Sequence, residues 1–505
     1  MKTKFTLALF AFILMFNVPI SSTTYFVRSA TGSDSNDGLT PASAFLTLGK
    51  AVNLSLTDGD VINISGTFNY AELNKFMLKS ISIVGDNKST AIIKGTLPGA
   101  NFLSIGNSAT PVSVLVENVT IQDFDFWDGS TQTEGGVFRV YKGSTLTCKN
   151  VNFINNQAVV GGAVNLLAST GIFEDCYFYN NRAKLRPSVN TNAFGAAIQV
   201  NAGSSYSEDA SLTVDRCLFE DNSTDNSGAA IRYIAATKGA ANLLIQNSTF
   251  VGNTLKGSNS TTGGSIQIQV TSEVSDIKII NNTIAYNYSE FNNVTALAGL
   301  SVSGNDDKLI LMNNILYSNT NAAGASVSIL NTKKNKESRN NITDQDYDFE
   351  ANTTSGASSS NFINVTGEAL GLSSSLSDNG GETKTLAINA TSVAVNAGYS
   401  TGAPLVDQRN IARVGNPDVG AYENLTTTTG SNNYLSGIKY SQLDGETIFK
   451  NLEGFKTVKV YDTVGKLVTN VALFGDSYRL IANSGIYFLH FEGTNKHSII
   501  KLIVK

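Results

Sequence analysis

"VNFINNQAVVGGAVNLL", residues 151–167, decides how this chain is read, because it returns. "CYFYNN" (176–181) with "FGAAIQV" (194–200), "CLFEDN" (217–222) with "SGAAIRY" (227–233), and "STFVGN" (248–253) with "GGSIQIQ" (263–269) repeat its two halves. Set in register, one column holds Ile121, Phe153, Phe178, Phe219, Phe250, Ile284 and Leu316. Three residues earlier stand Asn118, Asn150, Asp175, Arg216, Asn247, Asn281 and Asn313. Three residues later stand Phe124, Asn156, Asn181, Asn222, Asn253, Asn287 and Asn319. The small-residue blocks "GGVFR", "GGAVN", "GAAIQ", "GAAIR", "GGSIQ", "AGLSV" and "GASVS" form a second column. Steps between copies run from 25 to 41 residues, so the unit is constant and its loops are elastic.

A period of this size marks a solenoid or an array. Apolar residues alternate over short spans, as in Leu146, Cys148 and then Val151, Phe153, which is the period of a strand. Strands stacked by a chain that always turns the same way make a parallel β-helix, each rung about 4.8 Å above the last. Asn suits a corner because it tolerates a left-handed backbone and its amide reaches the neighbouring rung. The Leu-x-x-Leu-x-Leu pattern of a leucine-rich horseshoe and the four strands per period of a propeller do not fit. The expected fold is all-β, a right-handed parallel β-helix followed by a small C-terminal β-sandwich.

The repeat copies resemble the Phe-x-x-Asn and Gly-Gly-Ala-Ile repeats of polymorphic outer-membrane proteins. More broadly they resemble the right-handed parallel β-helices of the pectin-lyase-like superfamily, over about residues 110–330. "YFVRSATGSDSNDGLTPASAFLTLGKAV" (25–52) resembles the opening of many such proteins, a strand, a turn and a helix capping the first rung. "NAGYSTGAPLVDQRNIARVGNPDVGAYE" (396–423) resembles the end of a choice-of-anchor Q domain, with Asn410 where Gly is usual and Val419 where Ile is usual. "VYDTVGK" (460–466) and "SGIYFLHFEGTNKHSIIKLIVK" (484–505) resemble the C-terminal sorting domain of type IX secretion cargo. That resemblance implies passage across an outer membrane, removal of the domain, and release or attachment at the cell surface.

These readings divide the chain into a signal peptide (1–22), a β-helix (23–424), a polar linker (425–433) and a sorting sandwich (434–505). Within the β-helix, a cap is expected at about 25–55 and a closing segment at about 396–423. "MKTKFTLALFAFILMFNVPISS" (1–22) has Lys2 and Lys4 before an apolar run too short to span a bilayer, as secretory signals do. No later stretch is long and apolar enough for a membrane helix, so the expected location is outside the cell or on its outer surface. The net charge of −5 on 505 residues gives no field that would recruit nucleic acid. A monomer is expected, whose partners are a glycan and, through the C-terminal region, the secretion machinery.

Chemistry is restricted by what is absent. The chain has two His, His490 and His497, so residues 23–480 hold no His-based zinc site or Ser-His-Asp triad. "GSDSNDG" (32–38) reads as a turn, because neither Gly nor Glu falls where a calcium loop needs it. Cys176 and Cys217 share a register position and are expected as buried thiols on adjacent rungs, rung spacing disfavouring a bond. Asp407, Arg409, Arg413, Asp418 and Glu423 are expected to form an ion-pair knot closing the open end of the helix.

Function is sought in what varies between copies. The strand after each small-residue block should present one outward residue per rung: Arg139, Asn165, Gln199, Arg232, Gln267, Ser301 and Ser328. This ladder of amides and guanidinia, without Asp or Glu, suits the hydroxyls and carboxylates of a sugar chain. The longest insertions leave from opposite ends of the strand carrying Gln199. They should wall one groove, with Arg182, Lys184 and Arg186 on one side and Tyr206, Glu208 and Asp209 on the other. The expected function is a polysaccharide-binding or adhesin β-helix without a cofactor. The alternative is a lyase or hydrolase acting on an acidic glycan, the lyase needing calcium.

Overall fold

The computed structural model describes residues 22–73, 75–126, 133–185, 193–256, 263–291, 296–304, 308–331, 335–353 and 358–425. In the C-terminal region it describes 439–443, 446–450, 452, 454–463, 465–473, 475, 477–483, 485–493 and 497–504. The leader, Arg186 and most of the linker therefore lie outside the described residues. The chain divides into two compact units, Met1–Leu425 and Thr426–Lys505.

The first unit is a right-handed parallel β-helix with four strands in a typical rung. In one rung these are Thr145–Lys149 (sheet 1), Asn152–Ile154 (sheet 2), Gln157–Ala158 (sheet 3) and Val164–Leu167 (sheet 4). Each strand pairs in parallel with its counterparts above and below: Phe153 faces Ile121 and Phe178, and Asn165 faces Arg139 and Gln199. The ten-residue strand Val61–Tyr70 belongs to sheets 1 and 2 at once, joining them into a 21-stranded surface. Sheet 4 has nine strands and sheet 3 has seven.

Two corners explain the asparagines. At the corner between sheets 1 and 2, Asn118, Asn150, Asp175, Arg216, Asn247, Asn281, Asn313 and Asn340 all have φ between 47° and 56°. This left-handed turn is one that Asn and Asp enter at low cost. At the next corner, Asn156, Asn181, Asn222, Asn253, Asn287 and Asn319 are buried. Each Nδ2 from Asn156 to Asn287 donates to the next Oδ1 at 2.7–3.0 Å. The same Nδ2 groups reach a main-chain carbonyl of the preceding rung, as Asn222 does to Phe178 at 3.0 Å. A polar column thus runs through the interior with its needs met internally.

The main core cluster extends from Val27 to Phe349, and a smaller one joins Ile315 and Ile342 to Leu370, Ile388 and Val419 of the closing segments. Phe153, Phe178, Phe219 and Phe250 stack with centroids 4.7, 4.6 and 4.6 Å apart, nearly parallel. The N-terminal helix Leu48–Val52 contributes Leu48, Ala51 and Val52 to the same core. "GSDSNDG" anchors that helix: Asp34 accepts from the Leu46 and Thr47 amides and from the Thr47 hydroxyl. Cys148, Cys176 and Cys217 are buried and unbonded, and the Cys217 thiol accepts from the Cys176 amide at 3.4 Å.

At the other end, Gln345 caps sheet 4. Its Oε1 accepts from the Ile329 amide at 3.1 Å and its Nε2 donates to the Ile329 carbonyl at 3.3 Å, standing in for the next peptide group.

The acidic–basic knot is buried as an ion-pair cluster, with Arg409 2.6 Å from Asp407 and Arg413 3.1 Å from Glu423. Its position corrects the expectation. The segment does not close the end but runs back along the flank of sheets 1 and 2. Arg413 reaches Asn247 at 3.0 Å, Thr249 reaches Gln408 at 2.6 Å, and Asn281 reaches the Asp418 carbonyl at 2.9 Å. The left-handed corner leaves outward-pointing Asn side chains there, and the strap satisfies them.

The second unit is a small antiparallel β-sandwich. Lys439–Leu443, Glu446–Lys450 and Ser477–Ile481 form one sheet. Phe455–Tyr461, Leu467–Ala472, Gly485–Gly493 and His497–Val504 form the other. Phe449 and Leu480 of the first pack with Val458, Leu489 and Phe491 of the second. Among the described residues no helix is long and apolar enough to cross a membrane.

Candidate functional site

Sheet 4 carries the expected row, in register and longer than anticipated. Phe76 faces Ser104, and the column continues through Arg139, Asn165, Gln199, Arg232, Gln267 and Ser301 to Leu330. Ser328 is not in it. The chain turns back after Asn321, with Thr320 bridging Ser326, so the strand starts two residues later than the "GASVS" block indicates. Ser328 is buried instead, its hydroxyl donating to Asp344 at 3.0 Å.

The row points away from the core, yet much of it does not meet solvent. Asn165 and Gln199 are each 1 % exposed. The cover is the turn that precedes each strand. Glu134, Val160, Phe194 and Ser227 bridge one another from rung to rung, forming a ledge beside the row. Gly135, Gly161, Gly195 and Gly228 let the chain fold back, with φ of 76°, 63°, 61° and 71°. A Cβ on Gly161, Gly195 or Gly228 would lie 3.0, 2.9 or 2.6 Å from the Cβ of Asn165, Gln199 or Arg232. The small residues that start each strand therefore also roof the outward residue four positions on.

The ledge supplies a carboxylate that the row itself lacks. Glu134 lies 2.9 Å from the Arg139 guanidinium and accepts from Asn165 Nδ2 at 3.2 Å. Gln199 Nε2 donates to the Val200 carbonyl at 2.7 Å. Asn165 Oδ1, Gln199 Oε1 and Arg139 Nε are buried with no hydrogen-bond partner among the described residues. Each such atom costs about 1–3 kcal/mol unless water or a ligand meets it.

Arg232 differs from the other cations of this face. Its Nε donates to Gln267 Oε1 at 2.8 Å, and its guanidinium lies 3.8 Å over the Phe194 ring. No carboxylate among the described residues pairs with it, and burial alone pulls its pKa down to about 10. It is a largely desolvated cation held by an amide and an aromatic face, without a counter-ion.

The two insertions do leave from opposite ends of the strand Ile198–Ala202, but their charges are used locally. Arg182 pairs with Asp225 at 3.2 Å. Lys184 follows on the same segment, and Arg186 lies outside the described residues. Glu208 pairs with Lys142 at 3.0 Å, which with a hydrogen bond from that ammonium holds its carboxyl below the usual range. Asp209 accepts from the Ala240 amide at 2.8 Å, and Tyr206 packs against the core. Arg182, Glu208 and Asp209 thus tie their own segments to adjoining parts of the helix.

Sequence reading missed the accessible part of this face. The longer strands of sheet 4 have a second outward position, and Leu167, Asn201, Ile234, Gln269 and Ser303 occupy it in register. Asn201 and Gln269 are exposed. The signal was strand length: alternation continued two residues beyond the first row. Among the described residues no three His, Cys, Asp or Glu side chains gather as a metal set.

No family model matches the chain, and no curated protein matches it. Among solved structures, pectate lyase Pel9A aligns at 16% identity and a TM-score of 0.35, over 80% of this chain and 97% of that one. A GH136 lacto-N-biosidase from Eubacterium ramulus aligns at 14% identity and 0.27, over 68% of each chain. The PL6 family alginate lyase AlyGC aligns at 12% identity and 0.27, over 79% of this chain and 58% of that one. At these values the likenesses assign neither an activity nor a site.

Proposed function

We propose that this protein is an exported, cell-surface or secreted β-helix that binds an acidic polysaccharide, in the manner of a glycan receptor or adhesin. The observation that carries this reading is Arg232. A half-buried guanidinium, partly desolvated against Phe194 and without a carboxylate partner among the described residues, is costly, and a ligand carboxylate entering bidentately would relieve the cost. Phe194 and Gln267 fix its plane, so little freedom remains to be lost on binding. The leader-like residues 1–22 and the sorting-domain resemblance of residues 440–505 support the location and the type IX route. Intact-mass analysis of exported material, read for loss of the residues after about 434, tests that route.

The competing reading is a lyase or hydrolase on an acidic glycan, and Glu134 is the observation in its favour. Its carboxylate sits on the same face beside Arg139 and two orphaned polar atoms. Calorimetric titration of an oligouronate against wild type and Arg232→Ala, with product formation followed by absorbance, separates the readings. Binding that Arg232→Ala weakens by about 1.5–3 kcal/mol, without product, supports the receptor. Equal affinity in both proteins overturns Arg232 as the contact, and unsaturated or shortened products overturn the non-catalytic assignment.

A further inference from the structure

The head of the row is aromatic and exposed. Phe76, 42% exposed, stands in the column that leads to Arg232. Its ring lies 5.7 Å from Tyr141, tilted by 40°, and the Arg139 guanidinium lies 5.1 Å from the Tyr141 ring centre. Leu78, two residues after Phe76, is 39% exposed on the same strand edge. Arg139 is in turn held by Glu134, so the side chain over Tyr141 is fixed. The result is a small apolar platform with a charged rim, at the edge of a face that is otherwise amide-rich.

We infer that Phe76 and Tyr141 form a stacking subsite for a pyranose ring, at the far end of the glycan path that reaches Arg232. The inference rests on the reading of Arg232 as the carboxylate contact, and it adds the length of ligand the protein needs. A pyranose has an apolar face of C–H groups and a polar rim of hydroxyls. An exposed phenylalanine against a half-buried tyrosine, beside a guanidinium, matches both. Between the two ends the ligand would pass over the second row, where Asn201 is exposed and Ile234 half-buried, because Asn165 and Gln199 lie under their ledge. From Phe76 to Arg232 the register makes five steps, through Ser104, Arg139, Asn165 and Gln199. At about 4.8 Å per step the subsites lie about 24 Å apart, the span of about five 1,4-linked sugar residues.

The test uses the whole protein and 1,4-linked oligogalacturonates of defined length, from dimer to octamer, titrated against wild type, Phe76→Ala and Arg232→Ala. Phe76 is exposed, so its truncation leaves the core intact. Short oligomers should bind wild type and Phe76→Ala alike and lose affinity in Arg232→Ala. From about five residues upward, wild type should gain about three- to tenfold over the shorter oligomers, and Phe76→Ala should lack that gain. Binding that depends on Arg232 but shows no step with length, or a step that survives in Phe76→Ala, overturns the stacking subsite and leaves the Arg232 contact standing. Indifference to Arg232→Ala at every length overturns both. A Phe76→Ala effect on self-association in sedimentation, with no effect on oligomer binding, would make the platform a contact between copies and overturn it as a sugar site.

Discussion

Gly195 lies directly over Gln199: a Cβ added to the glycine would sit 2.9 Å from the glutamine's Cα and Cβ and 2.7 Å from the Ile198 carbonyl oxygen. The glycine also has φ of 61°, where a side chain is strained. Gly195→Ala should therefore cost about 2–4 kcal/mol, the strain and the clash adding. Gly203, which ends the same rung's sheet 4 segment and has nothing within 4 Å of its added Cβ, is the control. Urea unfolding of Gly203→Ala should stay within about 0.5 kcal/mol of wild type. Similar losses in both would mean that the roof over the row is not a constraint.

The buried asparagine column predicts a second cost. Asn222 Oδ1 accepts from the Asn181 amide and side chain, and Asn222 Nδ2 donates to the Phe178 carbonyl and to Asn253. Asn222→Ala strands partners on both sides, so denaturation should show a loss of about 2–4 kcal/mol. Asn201→Ala, on the exposed second row, should lose almost nothing.

The repeat was legible because its two constraints are local. A left-handed corner selects Asn or Asp, and a buried stack selects an aromatic or large aliphatic residue, so both leave columns in the sequence. The outward row was legible in register for the same reason. Its burial was not, because the roof comes from residues four positions earlier, and only coordinates show Gly195 lying over Gln199. Glu134 was overlooked likewise: it stands in register just before the small-residue block, but Val160, Phe194 and Ser227 hold that position in the next rungs, so no residue type repeats there to mark it. Ser328 was misplaced because "GASVS" repeats the composition of a strand start without the chain path that precedes the others. The strap at 396–423 had recognisable residues but no periodicity to say which surface they meet.

The strap should respond to pH. Burial, with the neighbouring Asp418 carboxylate second, raises Glu423 to about 7 against an ordinary value of 4.5, and its amide donors and Arg413 offset only part of this. An acid whose folded value is raised holds its proton more tightly in the folded state. Its contribution is full below pH 4.5 and is lost as pH climbs through 7. Stability of the strap should fall by on the order of 2 kcal/mol between pH 5 and pH 8. Hydrogen exchange at the Ala421 and Glu423 amides reads this directly. Glu423→Gln should flatten the dependence, and an unchanged slope in that variant would place the titrating group elsewhere.

Arg232 offers the sharpest separation between a structural and a ligand-binding residue. An arginine kept for stability has a buried carboxylate partner, and its loss destabilises by about 3–5 kcal/mol. Arg232 has none among the described residues. Its Nε is satisfied by Gln267, its plane rests on Phe194, and its pKa is drawn down by burial to about 10. At neutral pH both folded and unfolded chains carry the proton, so the whole cost of burying the charge falls on the folded state. The cost is relieved only as pH rises from about 10 toward the free value of 12.5. Arg232→Met keeps the aliphatic contact with Phe194 and removes the charge, leaving only the Gln267 amide to find water. Thermal unfolding without ligand should show the variant at least as stable as wild type, by about 1–2 kcal/mol at neutral pH, with the gap closing above pH 10. In the same protein, affinity for oligouronate should fall at least tenfold, and the salt dependence of binding should shrink by about one charge. A variant clearly less stable than wild type would make Arg232 a structural residue and remove the observation on which the glycan reading stands.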